Sequence, residues 1–283
     1  MKATTDWLAS SGTICQGDSG QVGFAHLKNY SVQYRIWGSG PPLVLVPGLA
    51  GGLELLNPLA RQLAHHFRVI SYQLRGEDDC FALRRRFDLD DLVKDLAEFL
   101  EWQCLERPTI MGVSFGGALA LEFAVRYPRR LEALVVQGAG ARFERGLLQQ
   151  VAGMVLSQFP LPTDNPFVNQ FFNLLFGKRQ KQGPLFQFVT RQCWQTDQSV
   201  MAHRFRLVEN FDVADRLEQI DVPTLILTGD RDLLVSKQSL HALRCGIPHS
   251  TYQPLCGAGH LAFVTQPGQV ASQVRQFANS LAN

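Results

Sequence analysis

The sequence predicts an α/β fold, in which a mostly parallel sheet of eight strands carries helices on both faces. Short, wholly apolar runs such as residues 43–46 are typical of strands buried on both faces of a parallel sheet. Between residues 43 and 136 such runs alternate with segments of helical periodicity, which is the pattern of βαβ units. The alternation stops near residue 140 and resumes near residue 216, so a helical insertion is expected after the sixth strand.

The composition is that of an ordinary globular protein of 283 residues, enough for one large α/β domain with a smaller insertion. A net charge of +2 gives no electrostatic reason to expect a nucleic-acid partner. The N-terminus lacks the apolar core of a signal peptide, and no apolar run approaches the length of a membrane span, so no stable membrane insertion is expected. The six cysteines are scattered without paired spacing, which predicts reduced thiols, no metal site and a cytoplasmic location.

The first third of the chain is expected to supply four strands. Residues 1–20 are polar and aperiodic, and we expect a loose leader there. The strands are predicted at residues 22–27, 31–37, 43–46 and 67–72, the first two joined by a tight turn. Asn57 as a cap and Pro58 as a first helical residue predict where the helix before the fourth strand begins.

The remaining strands and helices follow the same alternation on both sides of the insertion. Asp88 is predicted to cap a helix that carries Leu92 and Leu96 on one face. Further strands are expected at residues 108–113, 131–136, 220–229 and 250–253, and further helices at residues 117–127, 236–245 and 270–281. The core is therefore predicted to comprise residues 1–140 and 216–283.

A Gly-Val-Ser-Phe-Gly motif lies where a predicted strand gives way to a predicted helix, with Ser114 at its centre. In this context the serine is expected at a sharp, strained turn that holds its hydroxyl above the edge of the sheet, the arrangement of a nucleophile elbow. A Cβ at Gly112 or Gly116 is expected to collide with neighbouring backbone. The alternative is a serine in an ordinary turn.

Residues 141–215 differ in character and are predicted to form a helical lid. They are rich in phenylalanine and lack the alternation of strands and helices. Phe171, Phe172 and Phe176 are candidate walls of an apolar substrate pocket, because so many aromatic residues exceed what a small insertion needs for its own core. Packing against the body of the domain is the alternative for these side chains.

Acidic residues and a histidine follow the later strands. Asp230 and Asp232 come directly after the strand at residues 220–229, and His260 follows Gly259 in a loop after the last strand. The other six histidines fall in predicted strands, helices, turns or the lid. Open α/β sheets place ligand sites at the carboxyl ends of their strands, and the chain order Ser, Asp, His accompanies a nucleophile elbow.

These features resemble the α/β-hydrolase fold superfamily, in particular its serine hydrolases with a helical lid after the sixth strand. The resemblance covers residues 30–283. Besides the elbow, it rests on the segment Val222-Pro-Thr-Leu-Ile-Leu-Thr-Gly-Asp-Arg-Asp232, on Gly259-His260 and on the Pro47-Gly48 loop.

The resemblance implies a role for each candidate residue. Ser114 would be the nucleophile, His260 its base, and Asp232 the acid that orients His260. The family's acid stands three residues after a glycine, which matches Asp232 after Gly229 and leaves Asp230 as a loop residue. The backbone N–H groups of Leu49 and Phe115 would form the oxyanion hole.

The activity implied is that of a cofactor-free serine hydrolase that cleaves a small or medium-sized apolar carboxylic ester or lactone. A serine hydroxyl needs a neighbouring base, a neutral histidine suits that task, and a buried carboxylate fixes the histidine tautomer. Hydrolysis of a carbon–carbon bond, thioester hydrolysis or acyl transfer, and haloperoxidase chemistry can use the same residues. A ligand-binding receptor with little turnover is the alternative from another class.

Two departures from the family pattern keep the substrate open. Pro47 stands where relatives often carry histidine before the glycine of the oxyanion loop. Residues 73–78 read Gln-Leu-Arg-Gly-Glu-Asp where many relatives read Asp-x-Arg-Gly-x-Gly. Both differences leave the three candidate catalytic residues intact.

Overall fold

The structure is a computed structural model that describes residues 20–77, 85–144, 146, 150, 153–154, 156, 166–177 and 183–281. Within residues 166–171 it describes the backbone and the side chain of Gln170. The predicted leader at residues 1–20 therefore lies outside the described part, apart from Gly20.

The predicted eight-stranded, mostly parallel sheet is confirmed. Its strands are Gln21–His26 (β1), Ser31–Trp37 (β2), Pro42–Val46 (β3), Arg68–Tyr72 (β4), Thr109–Val113 (β5), Ala133–Gln137 (β6), Thr224–Gly229 (β7) and Ser250–Leu255 (β8). The spatial order is β1-β2-β4-β3-β5-β6-β7-β8. β2 pairs antiparallel with both β1 and β4, and all other pairings are parallel.

One or more helices follow each of the strands β3 to β8. They are Gly52–Leu63 (α1), Leu89–Trp102 (α2), Phe115–Arg126 (α3), Pro166–Leu175 (α4), Pro184–Cys193 (α5), Gln198–Glu209 (α6), Lys237–Gly246 (α7), Ala262–Thr265 (α8) and Pro267–Leu281 (α9). Asp88 caps α2 as predicted: its carboxylate accepts a hydrogen bond from the Asp91 N–H, and the Asp91 side chain accepts one from the Asp88 N–H. This reciprocal pair satisfies two backbone donors that a helix start leaves free.

Two apolar cores lie on opposite faces of the sheet. On one face α1 and α9 cover the strands, with Leu59 and Val274 among the buried residues. On the other face α2, α3 and α7 contribute Leu96, Phe123 and Leu243. Helices on both faces leave the carboxyl ends of the parallel strands free to hold a site.

The start of α1 differs from the prediction. The helix begins at Gly52 rather than at Asn57 and Pro58, so Pro58 lies inside it. A proline in a helix interior typically destabilises it by about 3 kcal/mol. Leu55 and Leu56, on the turn that the prediction omitted, are buried in the core, and burial of such side chains contributes about 1.5–3 kcal/mol each.

The helices α4, α5 and α6 lie between β6 and β7, where the sequence predicts an insertion. At its base, Arg142 and Asp212 form an isolated antiparallel β-bridge that joins the two ends of this segment. Among the helices of the described residues, none is long and apolar enough to cross a membrane.

Candidate functional site

Ser114 lies at the turn between β5 and α3, in a backbone conformation that non-glycine residues rarely adopt. Its φ of 53° and ψ of −116° fall outside the common regions. A residue in such a conformation is strained by about 1–3 kcal/mol, and the surrounding structure must hold it there. The Ser114 N–H donates to the Gln137 carbonyl at 2.8 Å, which ties the turn to the end of β6.

Two glycines make this turn possible. A Cβ at Gly112 would lie 2.1 Å from the Gly116 carbonyl oxygen, and a Cβ at Gly116 would lie 2.4 Å from the carbonyl oxygens of Val46 and Pro47. Contacts this short do not occur, so any side chain at either position would force the backbone apart. The first turn of α3 therefore rests directly on the loop after β3.

The loop after β8 brings His260 to the serine. Its Nε2 lies 2.7 Å from Ser114 Oγ, within hydrogen-bonding distance. The imidazole is almost fully buried, with 6% of the side chain exposed. A buried imidazole with one nitrogen on a serine hydroxyl can accept the hydroxyl proton, provided that its other nitrogen carries a proton.

Asp232, after β7, lies at the other nitrogen of that imidazole. Its Oδ2 is 2.9 Å from His260 Nδ1, and its side chain is fully buried. The Asp232 Oδ1 accepts hydrogen bonds from the backbone N–H groups of Leu234 at 2.8 Å and Val235 at 3.3 Å. Asp230, the alternative acid considered from the sequence, is exposed to solvent.

Opposing effects act on the pKa of Asp232. Burial by itself would raise the pKa, but the charge of His260, its hydrogen bond and the two backbone N–H groups outweigh burial and hold the pKa below its ordinary value. The carboxylate is therefore ionised near neutral pH and can accept the Nδ1 proton of His260. This fixes the tautomer that leaves Nε2 free to act as a base.

Gln137 is a site residue that the sequence reasoning missed. Its carbonyl accepts the Ser114 N–H, and its side-chain Nε2 donates to the His260 carbonyl at 3.2 Å. One fully buried residue therefore bridges the serine turn and the histidine loop. The available signal was a polar residue at the carboxyl end of an otherwise apolar strand, the same signal that marks Ser114 and Asp232.

The glycine-rich loop after β3 lies beside Ser114. A Cβ at Gly48 would be 3.7 Å from the Ser114 Cβ, in ordinary contact. Leu49 and Phe115, the residues predicted to supply oxyanion donors, line the same cavity as Ser114 and His260. β3 and β5 are neighbours in the sheet, with Val46 opposite Gly112, so the loops that follow them begin side by side.

A cavity of about 220 Å³ opens onto Ser114 and His260. This volume is below the ~300–1,000 Å³ of pockets that hold drug-sized ligands, so it suits a small or medium-sized group. Most of its described lining is apolar, and much comes from the insertion between β6 and β7. The insertion contributes Phe143, Leu156, Phe172, Leu175, Cys193, Trp194, Met201, Phe205, Val208 and Phe211.

The three phenylalanines predicted as pocket walls have different positions. Phe172 lines the cavity. Phe176 is buried and stacks on Phe186 with ring centroids 5.7 Å apart, and it is not among the residues that line the cavity. The side chain of Phe171 lies outside the described part of the structure.

Few polar side chains are among the described residues that line the cavity. Arg142 and Glu144 line it as a pair, with Arg142 Nε 3.6 Å from Glu144 Oε1. The Cys193 thiol also lines it, and burial raises the pKa of this thiol to about 12. Cys193 therefore stays protonated near neutral pH and lacks the thiolate that a cysteine nucleophile needs.

Part of the insertion packs on the histidine loop itself. The carbonyl of Leu175, the last residue of α4, accepts the Leu261 N–H at 3.2 Å. A Cβ at Gly259 would lie 2.4 Å from the Phe176 carbonyl carbon, so backbone touches backbone there. The insertion thus contacts the loop that carries His260 as well as covering the cavity.

In the described residues, no cluster of three or more His, Cys, Asp or Glu side chains could hold a metal ion. The arrangement at the edge of the sheet is a hydroxyl, an imidazole and a carboxylate joined in series by hydrogen bonds. Such a series can activate a hydroxyl for attack on an electrophilic carbon.

Comparison with known proteins assigns the fold to one large family. The sequence profile of the alpha/beta hydrolase fold matches residues 41–267, well over half of the chain. The match spans the elbow, the insertion, and the loops that carry Asp232 and His260.

Relatives with named activities cover nearly the whole chain at modest identity. A pimeloyl-[acyl-carrier protein] methyl ester esterase from Aliivibrio salmonicida is 25% identical over 256 residues, 87% of this chain and 95% of the relative. A poly(3-hydroxyalkanoate) depolymerase from Ectopseudomonas oleovorans is 26% identical over 260 residues, 89% of this chain and 90% of the relative. The crystal structure of an enol-lactonase from Burkholderia xenovorans LB400 superposes with a TM-score of 0.77 at 20% identity, covering 91% of this chain and 100% of that one.

Proposed function

This chain belongs to the alpha/beta hydrolase fold family, and we propose that it is a cofactor-free serine hydrolase that cleaves a small or medium-sized apolar carboxylic ester or lactone. One observation carries the proposal. Ser114 Oγ lies 2.7 Å from His260 Nε2, and His260 Nδ1 lies 2.9 Å from Asp232 Oδ2. A serine, a histidine and an aspartate in this sequence of hydrogen bonds form a proton-transfer unit for acyl transfer.

In the first half of the proposed reaction Ser114 is acylated. Its Oγ attacks the carbonyl carbon of the ester while His260 Nε2 takes the hydroxyl proton. The tetrahedral intermediate collapses when His260 returns that proton to the departing alcohol oxygen. Asp232 remains ionised and stabilises the imidazolium, a role that its lowered pKa supports.

Negative charge develops on the carbonyl oxygen of the substrate during this attack. We propose that the backbone N–H groups of Leu49 and Phe115 stabilise it, since both residues line the cavity beside Ser114. Preorganised donors of this kind are each worth about 10²–10³ in rate. They need no reorganisation during the reaction, because the loop after β3 and the first turn of α3 already hold the backbone.

In the second half of the reaction water replaces the alcohol. His260 Nε2 removes a proton from water, and the hydroxide attacks the acyl carbon. The second tetrahedral intermediate collapses, Ser114 Oγ takes the proton back from His260, and the carboxylic acid leaves. In a lactone the alcohol and the acid belong to one molecule, so the product is a hydroxy acid.

The cavity supports an apolar substrate. It is small, mostly apolar, and its Arg142 and Glu144 face each other rather than leaving one charge unpaired. One relative is named as a pimeloyl-[acyl-carrier protein] methyl ester esterase and another as a poly(3-hydroxyalkanoate) depolymerase, and the first of these names supports an ester as the scissile group. We therefore place a neutral acyl chain in the cavity.

The insertion and the thiols support further parts of this proposal. Residues 141–215 would form a lid, with residues 1–140 and 216–283 as the catalytic core, because the insertion supplies much of the cavity wall. Four cysteines in the described part, Cys104, Cys193, Cys245 and Cys256, are free thiols. Free thiols are typical of the reducing cytoplasm, where we propose the protein acts.

A substrate panel tests the proposal. Purified wild type and Ser114→Ala would be assayed with p-nitrophenyl esters of two to twelve acyl carbons, lactones, acyl thioesters and a vinylogous diketone. We expect hydrolysis of short or medium esters or of a lactone by wild type, and loss of that activity in Ser114→Ala. Cleavage of the diketone alone would instead identify a carbon–carbon bond hydrolase. Folded wild type that cleaves none of these compounds would favour the receptor alternative.

A further inference from the structure

Arg204 of α6 is fully buried and reaches from the insertion to the loop after β3. We propose that Arg204 and Thr196 are positioning residues that hold the peptide groups of this loop, and with them the Leu49 N–H, in the orientation that stabilises the oxyanion. The inference rests on the proposed function and assigns a catalytic contribution to two residues of the insertion.

Arg204 holds three acceptors at once. One guanidinium nitrogen donates to the Leu49 carbonyl at 3.0 Å and to Glu77 Oε1 at 2.5 Å, and the other terminal nitrogen donates to the Arg75 carbonyl at 2.7 Å. The planar fork of arginine fixes these directions together, as a lysine ammonium cannot. Glu77 is also buried, so it compensates the charge of Arg204.

Thr196 provides a second tether two residues further along the same loop. The Gly51 N–H donates to Thr196 Oγ1 at 3.0 Å, and Thr196 is buried. The insertion therefore holds the carbonyl of Leu49 and the N–H of Gly51. The Leu49 N–H belongs to the peptide group just before the one whose carbonyl Arg204 holds. Its direction therefore depends on the loop conformation that Arg204 and Thr196 fix together.

Neither tether residue belongs to the described lining of the cavity. Leu49 itself does line it, next to Ser114. Arg204 and Thr196 are thus expected to act through the loop and not through contact with substrate. Loss of a tether should weaken binding of the transition state and leave binding of the substrate almost unchanged.

Thr196→Val is the main test, because valine has nearly the shape of threonine and replaces the hydroxyl that accepts the Gly51 N–H with a methyl group. With p-nitrophenyl butyrate, we expect kcat to fall about tenfold to a hundredfold, as misplacement of catalytic groups by ~1 Å does, while KM changes less than about twofold. The affinity for butylboronic acid, which forms a tetrahedral adduct with the serine, should fall by the same factor. The affinity for an ether analogue of the ester, which forms no adduct, should not change.

Arg204→Lys gives a second, independent variant that keeps the charge opposite Glu77. Lysine cannot reach three acceptors in fixed directions, so we expect the same pattern of kcat and boronate affinity. Arg216→Met is the matched control: Arg216 donates two hydrogen bonds to the buried carboxylate of Glu122, at 2.9 and 2.8 Å, and neither residue is among those that line the cavity. It should lower the melting temperature and leave kcat and boronate affinity at wild-type values.

Amide hydrogen exchange provides a readout that does not depend on turnover. The Gly51 N–H should exchange faster in Thr196→Val than in wild type, and at the wild-type rate in Arg216→Met. Wild-type kcat and boronate affinity in a folded Thr196→Val would overturn the inference, as would an equal loss of affinity for the ether analogue. If the wild type neither hydrolyses the ester nor binds the boronate, the proposed function fails, and the positioning role falls with it.

Discussion

The edge of the sheet and the insertion between β6 and β7 build one cavity in different ways. At the edge, backbone geometry fixes each functional group. The strained Ser114 rests on glycines that tolerate no side chain, and Gln137 holds the serine turn and the histidine loop together. In the insertion, side chains on α4 to α6 contribute to an apolar wall, and Thr196 and Arg204 form hydrogen bonds with the loop after β3.

We expect this difference to separate the chemistry of the site from its selectivity. The edge contributes one hydroxyl, one imidazole and one carboxylate, whose proposed roles require that they stay within hydrogen-bonding distance of each other. The wall contributes shape and polarity, which tolerate substitution by residues of similar size. Changes at the edge should therefore abolish turnover of every substrate, whereas changes in the wall should alter which substrate is preferred.

The largest effect is expected for Asp232→Asn. An amide in place of the carboxylate can donate to His260 Nδ1 and so favours the wrong tautomer, which lowers kcat by about 10⁴ in comparable triads. Steady-state kinetics with the best ester of the panel would measure it. Asp230→Asn is the matched control at an exposed position two residues away, and it should retain activity within about twofold; a reversed ranking of the two variants would refute the assignment of the acid.

A side chain at the elbow should affect folding as well as turnover. In Gly116→Ala the new Cβ would lie 2.4 Å from two carbonyl oxygens. We expect the free energy of unfolding to fall by about 3 kcal/mol, at the upper end for overpacked sites, and esterase activity to be lost. Gly268→Ala is the control, since its nearest contact would be 3.9 Å away and it lies in the first turn of α9. Unfolding in denaturant should show that the free energy of unfolding of Gly268→Ala equals that of wild type or is slightly higher.

A pair of phenylalanines tests the wall of the cavity. Phe172 and Phe176 are both buried and both contact Phe186, but only Phe172 is among the residues lining the cavity. Both Phe→Leu changes should lower stability by about 1 kcal/mol. Only Phe172→Leu should shift the preferred acyl chain length of the ester series, by about tenfold in relative kcat/KM. An equal shift in both variants would mean that the phenylalanines act on the cavity through packing alone.

The smallest expected effect concerns stability at low pH. The pKa of Asp232 is lower in the folded protein than its ordinary value near 4, so below neutral pH the unfolded state binds more protons. The stabilisation from the ionised carboxylate is present above the unfolded-state pKa and is lost as the pH falls through the folded-state pKa. The difference in melting temperature between wild type and Asp232→Asn should therefore narrow below about pH 4. A difference that stays constant with pH would contradict this account.

The edge of the sheet could be predicted from the sequence because its requirements are local. Apolar runs gave the strands, and polar residues just after them, Ser114 and Asp232, indicated the functional groups. In the core, β7 begins at Thr224 rather than at residue 220, and the larger error was the start of α1. Capping propensity at Asn57 and Pro58 was outweighed there by the burial of leucines on the preceding turn.

The lining of the cavity and the contacts of Arg204 could not be predicted from the sequence in this way. Whether Phe172 or Phe176 faces the cavity depends on how α4 lies on the histidine loop, which no periodicity encodes. Arg204 in a helix resembles a surface residue by sequence, because its three acceptors come from segments more than a hundred residues away. Such long-range polar contacts become visible only in the folded structure.

The residue that a fluorophosphonate modifies shows most directly whether Ser114 is a nucleophile. Wild type, Ser114→Ala and the exposed-site control Asp230→Asn would be treated with the probe, digested and examined by mass spectrometry. We expect one adduct per chain on the peptide that contains Ser114 in wild type and in Asp230→Asn, and none in Ser114→Ala. Folded wild type without an adduct, or an adduct on another residue, would contradict it.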